Sequence, residues 1–214
     1  MFPFCQKLNG IKPGRAKHLP TLAVVYFCWA VGAVMMTAAP AVHTGEAAVE
    51  QVKKAELFDT LLQAKNQDEG RAAESAIWTF WFDQAPTPEA REALDAGMKR
   101  REAYDFEAAE NHLNQVVSLA PEYAEGYNQR AFIRFLRENY SDARDDLEKA
   151  LELEPDHFGA MSGLFHILRI ENRRQAALSI LRQAVSLHPW IKERHGLPEE
   201  MWPEHYRQLH QETI

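Results

Sequence analysis

Three residue pairs, Met98/Arg101, Phe132/Phe135 and His166/Arg169, keep one i, i+3 spacing and recur every 34 residues, with Asn128 four positions before Phe132. On a helix that spacing puts each pair on one face. Three such faces side by side would offer an aromatic floor flanked by two arginines. An extended peptide with acidic positions, or with a C-terminal carboxylate, suits such a surface. This is the chemistry of recognition rather than of bond-making. The chain carries no G-x-S-x-G, no P-loop and no paired glycine fingerprint, so no enzyme activity is expected. His188, His195, His205 and His210 gather near the C-terminus, but none lies i+3 or i+4 from another, and H-E-x-x-H is missing. Neither a metal nor a cofactor is expected from that pattern.

The elements that would position the pairs follow from a second recurrence. Pro121, Pro155 and Pro189 are 34 residues apart, and four more columns keep the step: Ala109/Ala143/Ala177, Leu113/Leu147/Leu181, Val116/Ala150/Ala184 and Leu119/Leu153/Leu187. A fixed period of this length with helical patterning means stacked helical hairpins. Residues 109, 113 and 116, with their counterparts in the next two copies, form the i, i+4, i+7 stripe of a half-buried helix. Each proline follows such a helix and stops it, because it lacks an N–H and disfavours helix in the residue before it. Asn128, Phe132 and Phe135 fall on the first helix of the middle hairpin, away from its packing stripe of Tyr127, Ala131 and Arg134. In stacked hairpins the first helices line the concave face.

The unit Ala124–His157 resembles the tetratricopeptide repeat, through Tyr127, Ala131, Tyr140, Ala143, Leu147, Ala150 and Pro155. Ala90–Tyr123 resembles it through Gly97, Phe106, Ala109, Leu113 and Pro121, and Phe158–Ile191 through Met161, Leu164, Leu168, Ala177, Leu181, Ala184 and Pro189. Ala93, Val116, Phe165 and Arg174 depart from the family pattern. The resemblance implies an all-α, right-handed solenoid of antiparallel helix pairs with three repeats. It also implies an interhelical Arg130–Asp146 ion pair of structural role, since many repeats of the family carry an Arg and an Asp there. Members that bind chaperone tails use a lysine, asparagine and arginine clamp. Here those places hold Leu94, Met98, Gln129, Gly159 and Gly163, so an adaptor of that kind is disfavoured. The family's fold is otherwise uninformative about purpose.

The N-terminus reads differently. Lys7, Lys12, Arg15 and Lys17 precede an uncharged run, Leu22–Ala39, and Ala39-Pro40-Ala41 offers a cleavage site. Residues 1–41 therefore read as a secretory signal, or as an anchor if uncleaved, since the run approaches the length that spans a bilayer. Either way the repeats are expected on the far side of the membrane, in the periplasm, as in an exported bacterial member of the family. Removing the segment takes away four of 24 basic residues and none of the 31 acidic ones, leaving a net charge of −11. No nucleic-acid footprint survives in that balance. Cys5 and Cys28 leave with it, so packing alone must stabilise the remainder.

Val42–Glu50 reads as a tether and 51–85 as a degenerate helical hairpin, out of register with the repeats, that caps the first of them. Its aromatics Trp78, Phe80, Trp81 and Phe82 are read as core, or else as an exposed docking patch. Residues 192–214 form a tail with a short helix over Pro203–Gln211. The functional expectation is a non-catalytic scaffold of the bacterial cell envelope that holds a protein or peptide on Met98, Arg101, Asn128, Phe132, Phe135, His166 and Arg169. The alternative is a self-association module without a peptide ligand.

Overall fold

The computed structural model describes residues 43–211. Among them are nine α-helices, two short 3-10 turns and no strand: α1 His43–Leu62, α2 Gln67–Asp83, α3 Pro88–Glu102, α4 Phe106–Leu119, α5 Ala124–Leu136, α6 Tyr140–Leu153, α7 Phe158–Ile170, α8 Arg174–Leu187 and α9 Glu204–Gln211, with the turns at Lys192–Gly196 and Glu199–Met201 before α9. Helices α3 to α8 pack in sequence as antiparallel pairs, and the first helices α3, α5 and α7 also touch one another. The small columns make this stacking close: Ala109, Ala143, Ala150, Ala177 and Ala184 are all essentially without exposure.

The turn inside each repeat is built the same way. Tyr104, Glu138 and Asn172, 34 residues apart, have φ of 59°, 61° and 58°. The amide of the residue after each reaches back to Arg100, Arg134 or Leu168. This ends each first helix with a left-handed residue, a position glycine normally takes.

Residues 1–42, including the export segment, lie outside the described residues. The described part of the expected tether, from His43 to Glu50, is helical: α1 begins at His43, because Ala47, Ala48, Glu50 and Gln51 are strong helix formers. The first hairpin likewise runs over 43–62 and 67–83, with Asn66 capping α2 through its side chain.

The larger correction concerns where this hairpin sits. It does not stack on the first repeat as an end cap. Its buried Leu61, Ala73, Ile77, Phe80 and Trp81 share one core with repeats two and three, whereas the core of repeat one is separate. Helix α2 lies across the junctions between repeats. Tyr123 Oη lies 3.0 Å from the Trp81 carbonyl and 3.2 Å from that of Phe82 and donates to this last turn of α2, adding to the backbone N–H groups of Gln84 and Ala85 that those carbonyls already accept. One repeat later, His157 stacks on Trp81. Lys54 pairs with Glu154 and Asp156.

Two glycines permit the approach. A Cβ on Gly159 would lie 2.4 Å from the Trp78 ring, and one on Gly70 would lie 2.4 Å from Trp190. Trp190 thus meets α2 rather than merely closing the last repeat. Phe165, where the family pattern has a small residue, is buried against the C-terminal segment, with Gly196, Leu197 and Tyr206 supplying the cover.

Candidate functional site

Helices α3, α5 and α7 face a cavity of about 550 Å³. Its floor is Met98, Ala131, Phe132, Phe135 and Leu147, with Ser162, Gly163 and His166 from α7. Helix α2 forms one wall with Glu74, Trp78 and Phe82, and Ile191, Lys192 and Glu193 close the far end. The aromatic cluster of α2 therefore has two roles: Phe80 and Trp81 are core, while Trp78 and Phe82 are half-buried and line the cavity. Phe132 is 46% exposed, the most open aromatic of the lining.

Of the seven residues expected on this surface, six line the cavity. Arg169 does not: it points outward, its guanidinium 5.4 Å from the ring centre of Phe165. The bulky Phe165, held down by the C-terminal turn, supplies a ring face outside the groove for that cation. Asn128 reaches the lining from a buried position, where its amide donates to Glu125 Oε2 at 3.1 Å. His166 is engaged by Glu193 Oε1 at 3.1 Å. Hydrogen bonding from His166 pulls the Glu193 carboxyl down to about 2, with burial opposing.

Charges in the cavity are unevenly neutralised. Glu193 is held by His166, and Glu74 lies 3.4 Å from buried His188, whose close approach holds the Glu74 carboxyl below the usual range. Arg101 forms no ion pair among the described residues. Its guanidinium lies 5.5 Å from the centre of the Phe132 ring and donates to Gln129 Oε1 at 2.7 Å. Two arginines of the neighbouring helix α5, by contrast, are paired. Arg130 grips Asp146 with two bonds of 2.9 and 2.6 Å, and Arg134 reaches the same carboxylate at 2.8 Å and Glu110 at 3.1 Å.

The sequence offers Trp78 and Phe82 only within an aromatic cluster that is either core or a docking patch, not as a groove wall, and it gives no hint of Lys192 and Glu193 as the groove's end. Their places depend on where the flanking pieces dock. Glu125 and His157 were equally hidden, since a Glu in the first turn of a helix is unremarkable. Among the described residues no three His, Cys, Asp or Glu side chains stand close enough to hold a metal ion, and no helix is long and apolar enough to cross a membrane.

Stacked antiparallel pairs with a concave groove define the tetratricopeptide-repeat class, and the family profile matches directly at residues 124–157, so the chain carries a tetratricopeptide repeat. It is 29% identical over 134 residues to a TPR repeat-containing protein of Rhizobium etli, covering 63% of this chain and 65% of that protein. It is 35% identical over 99 residues to RNA polymerase II-associated protein 3 of Mus musculus, covering 39% of this chain and 15% of that protein. The chain thus spans less than two thirds of either relative. Among solved structures, the TPR2B domain of yeast Sti1 in its pHsp70 complex aligns with a TM-score of 0.48 and 22% identity, over 59% of this chain and 99% of that one.

Proposed function

We propose that the protein is a non-catalytic scaffold whose groove holds an extended segment of a protein partner, with an apolar side chain on the floor and a carboxylate at Arg101. One observation carries the reading: the exposed Phe132 ring lies under an arginine without an acidic partner among the described residues, in a cavity whose own carboxylates stand beside histidines. Lys192 at the far end acts on Glu74, whereas Arg101 keeps its charge free of an acidic partner among the described residues. Opposite charge on the partner is the complement.

Binding is tested by titrating acidic–apolar peptides into isotope-labelled protein. Shifts should concentrate on Met98, Phe132, Phe135 and Ser162, and Phe132→Asp should remove them without unfolding the chain. Shifts spread elsewhere, or indifferent to Phe132→Asp, would sink the reading.

We propose further that the scaffold works outside the cytoplasm, in the bacterial cell envelope. The support is the sequence of residues 1–41, with its basic start, uncharged run and small-residue site. A periplasm-dependent reporter fused after Ile214 should be active; cytoplasmic activity alone would remove the proposal.

The self-association alternative draws on exposed Val49 and Val52 of α1. Light scattering of residues 42–214 separates the two readings, since a concentration-dependent dimer favours self-association.

A further inference from the structure

Beneath the groove runs a buried chain of hydrogen bonds. Arg101 donates to Gln129 Oε1 at 2.7 Å, Gln129 Nε2 donates to Glu125 Oε1 at 2.5 Å, His157 Nε2 lies 2.8 Å from Glu125 Oε2, and the Ala160 amide donates to His157 Nδ1 at 3.2 Å. Gln129, Glu125 and His157 are 6%, 1% and 0% exposed. Trp81 of α2 covers the inner end, stacked on His157 at 4.0 Å.

The direction of every bond is fixed from its ends. A backbone N–H can only donate, so His157 Nδ1 accepts and its proton sits on Nε2, pointing at Glu125. A guanidinium can only donate, so Gln129 must turn its oxygen toward Arg101 and its NH2 toward Glu125. An ionised Glu125 is what both demands require. It accepts from His157, Gln129 and Asn128 and has no proton to give. A glutamine at 125 has an NH2 of its own and would let the Gln129 amide reverse, setting a donor against Arg101.

Resting on the groove reading, we propose that Glu125, Gln129 and His157 are positioning residues: they hold Arg101 in the pose that selects a carboxylate-bearing ligand, and the docked α2, through Trp81, is part of the device. An arginine fixed over Phe132 presents its remaining N–H groups in one direction, which a freely rotating side chain would not do. The α1–α2 hairpin is then a component of the binding site and not only a support.

The probe is a set of short synthetic peptides of random sequence, one arm with free C-termini and one amidated, presented to the full chain. Wild-type protein should retain peptides with a carboxylate beside an apolar residue; enrichment confined to the free arm assigns that carboxylate to the C-terminus, and enrichment in both arms to Asp or Glu. Glu125→Gln and Gln129→Leu should lower that preference about tenfold, the scale of one lost hydrogen bond to a charged group, read as the ratio of carboxylate-bearing to acid-free apolar peptides retained by the same variant. If these variants keep the wild-type preference while Arg101→Gln loses it, the positioning role is overturned. If wild type and Phe132→Asp retain the same peptides, the groove reading itself fails, which is a distinct result. Should the variants not fold, the Arg101 Nε–Hε resonance of wild-type protein decides: a resolved, slowly exchanging signal supports the proposal, and an averaged free-guanidinium signal refutes it.

Discussion

Trp81 lies flat on His157, with ring centroids 4.0 Å apart and planes 13° from parallel, and this stack joins the N-terminal hairpin to the start of the third repeat. Both residues are almost wholly buried, and Phe158 packs against Trp81 at 4.9 Å. Trp81→Ala should cost about 3–5 kcal/mol, the range for truncating a buried large aromatic. The indole N–H of Trp81 has no hydrogen-bond partner among the described residues, so Trp81→Phe forfeits contact area alone and should cost less than half as much. Chemical denaturation of the two variants checks the ordering.

Glycine to alanine in a helix ordinarily stabilises by up to about 1 kcal/mol. At Gly159 the sign should reverse, with a cost of about 1–3 kcal/mol, because the new methyl meets the Trp78 ring. Gly45 has nothing within 4 Å and should follow the ordinary direction. Thermal melts of Gly159→Ala and Gly45→Ala moving the same way would refute the packing of α2 against α7.

Glu138 sits at φ 61°, exposed, at the end of α5. Glu138→Gly should stabilise by roughly 1 kcal/mol, because relief of the left-handed strain outweighs the added freedom of the unfolded chain. Tyr104→Gly should act alike, as its ring is 82% exposed and loses little packing. A fall in denaturation midpoint for both would count against the turn geometry.

Asp146, 5% exposed, accepts three N–H groups from Arg130 and Arg134. Asp146→Ala should cost about 3–5 kcal/mol, because it leaves the Arg130 guanidinium without an acidic partner and Arg134 with Glu110 alone at a protein interior. Glu152→Ala, whose partner Lys149 pairs with it on the open surface, should change stability by less than about 1 kcal/mol. Equal effects would argue against the central position of the Asp146 network.

Glu193 has its carboxyl lowered from 4.5 to about 2, chiefly by the His166 hydrogen bond, and Glu74 is lowered by His188. Groups lowered on folding contribute stability that is complete above their unfolded value and is lost as pH falls through the folded one. Acid should therefore loosen the far end of the groove between about pH 4.5 and 2, and the α2 wall as pH falls below the ordinary carboxylate range. Tryptophan fluorescence, followed with and without Glu193→Gln, should show the Gln variant less sensitive in that window.

The sequence alone determined the repeating part. Pro121, Pro155 and Pro189 and the alanine and leucine columns are legible because each hairpin touches only its neighbours, so the same local contacts recur at a fixed step. The same step placed Phe132, Phe135, Met98 and Arg101 on adjoining first helices. Arg169 shares that step yet leaves the groove, since which side of its ring neighbour it lies on depends on how the C-terminal turn packs Phe165. The tertiary structure alone decided the rest. Lys54 meets Glu154 across 100 residues, and Arg194 meets Gln67 across 127. The hairpin's aromatic stripe states that it must be buried, but not against which repeats. Its docking over Tyr123 and His157 turned a surface between first helices into a walled groove, and it covered the carboxylate that orients Arg101. Apolar burial is non-directional; steric fit, through the missing side chains of Gly159 and Gly70, and the directional contacts of Tyr123 and Lys54 selected one docking place.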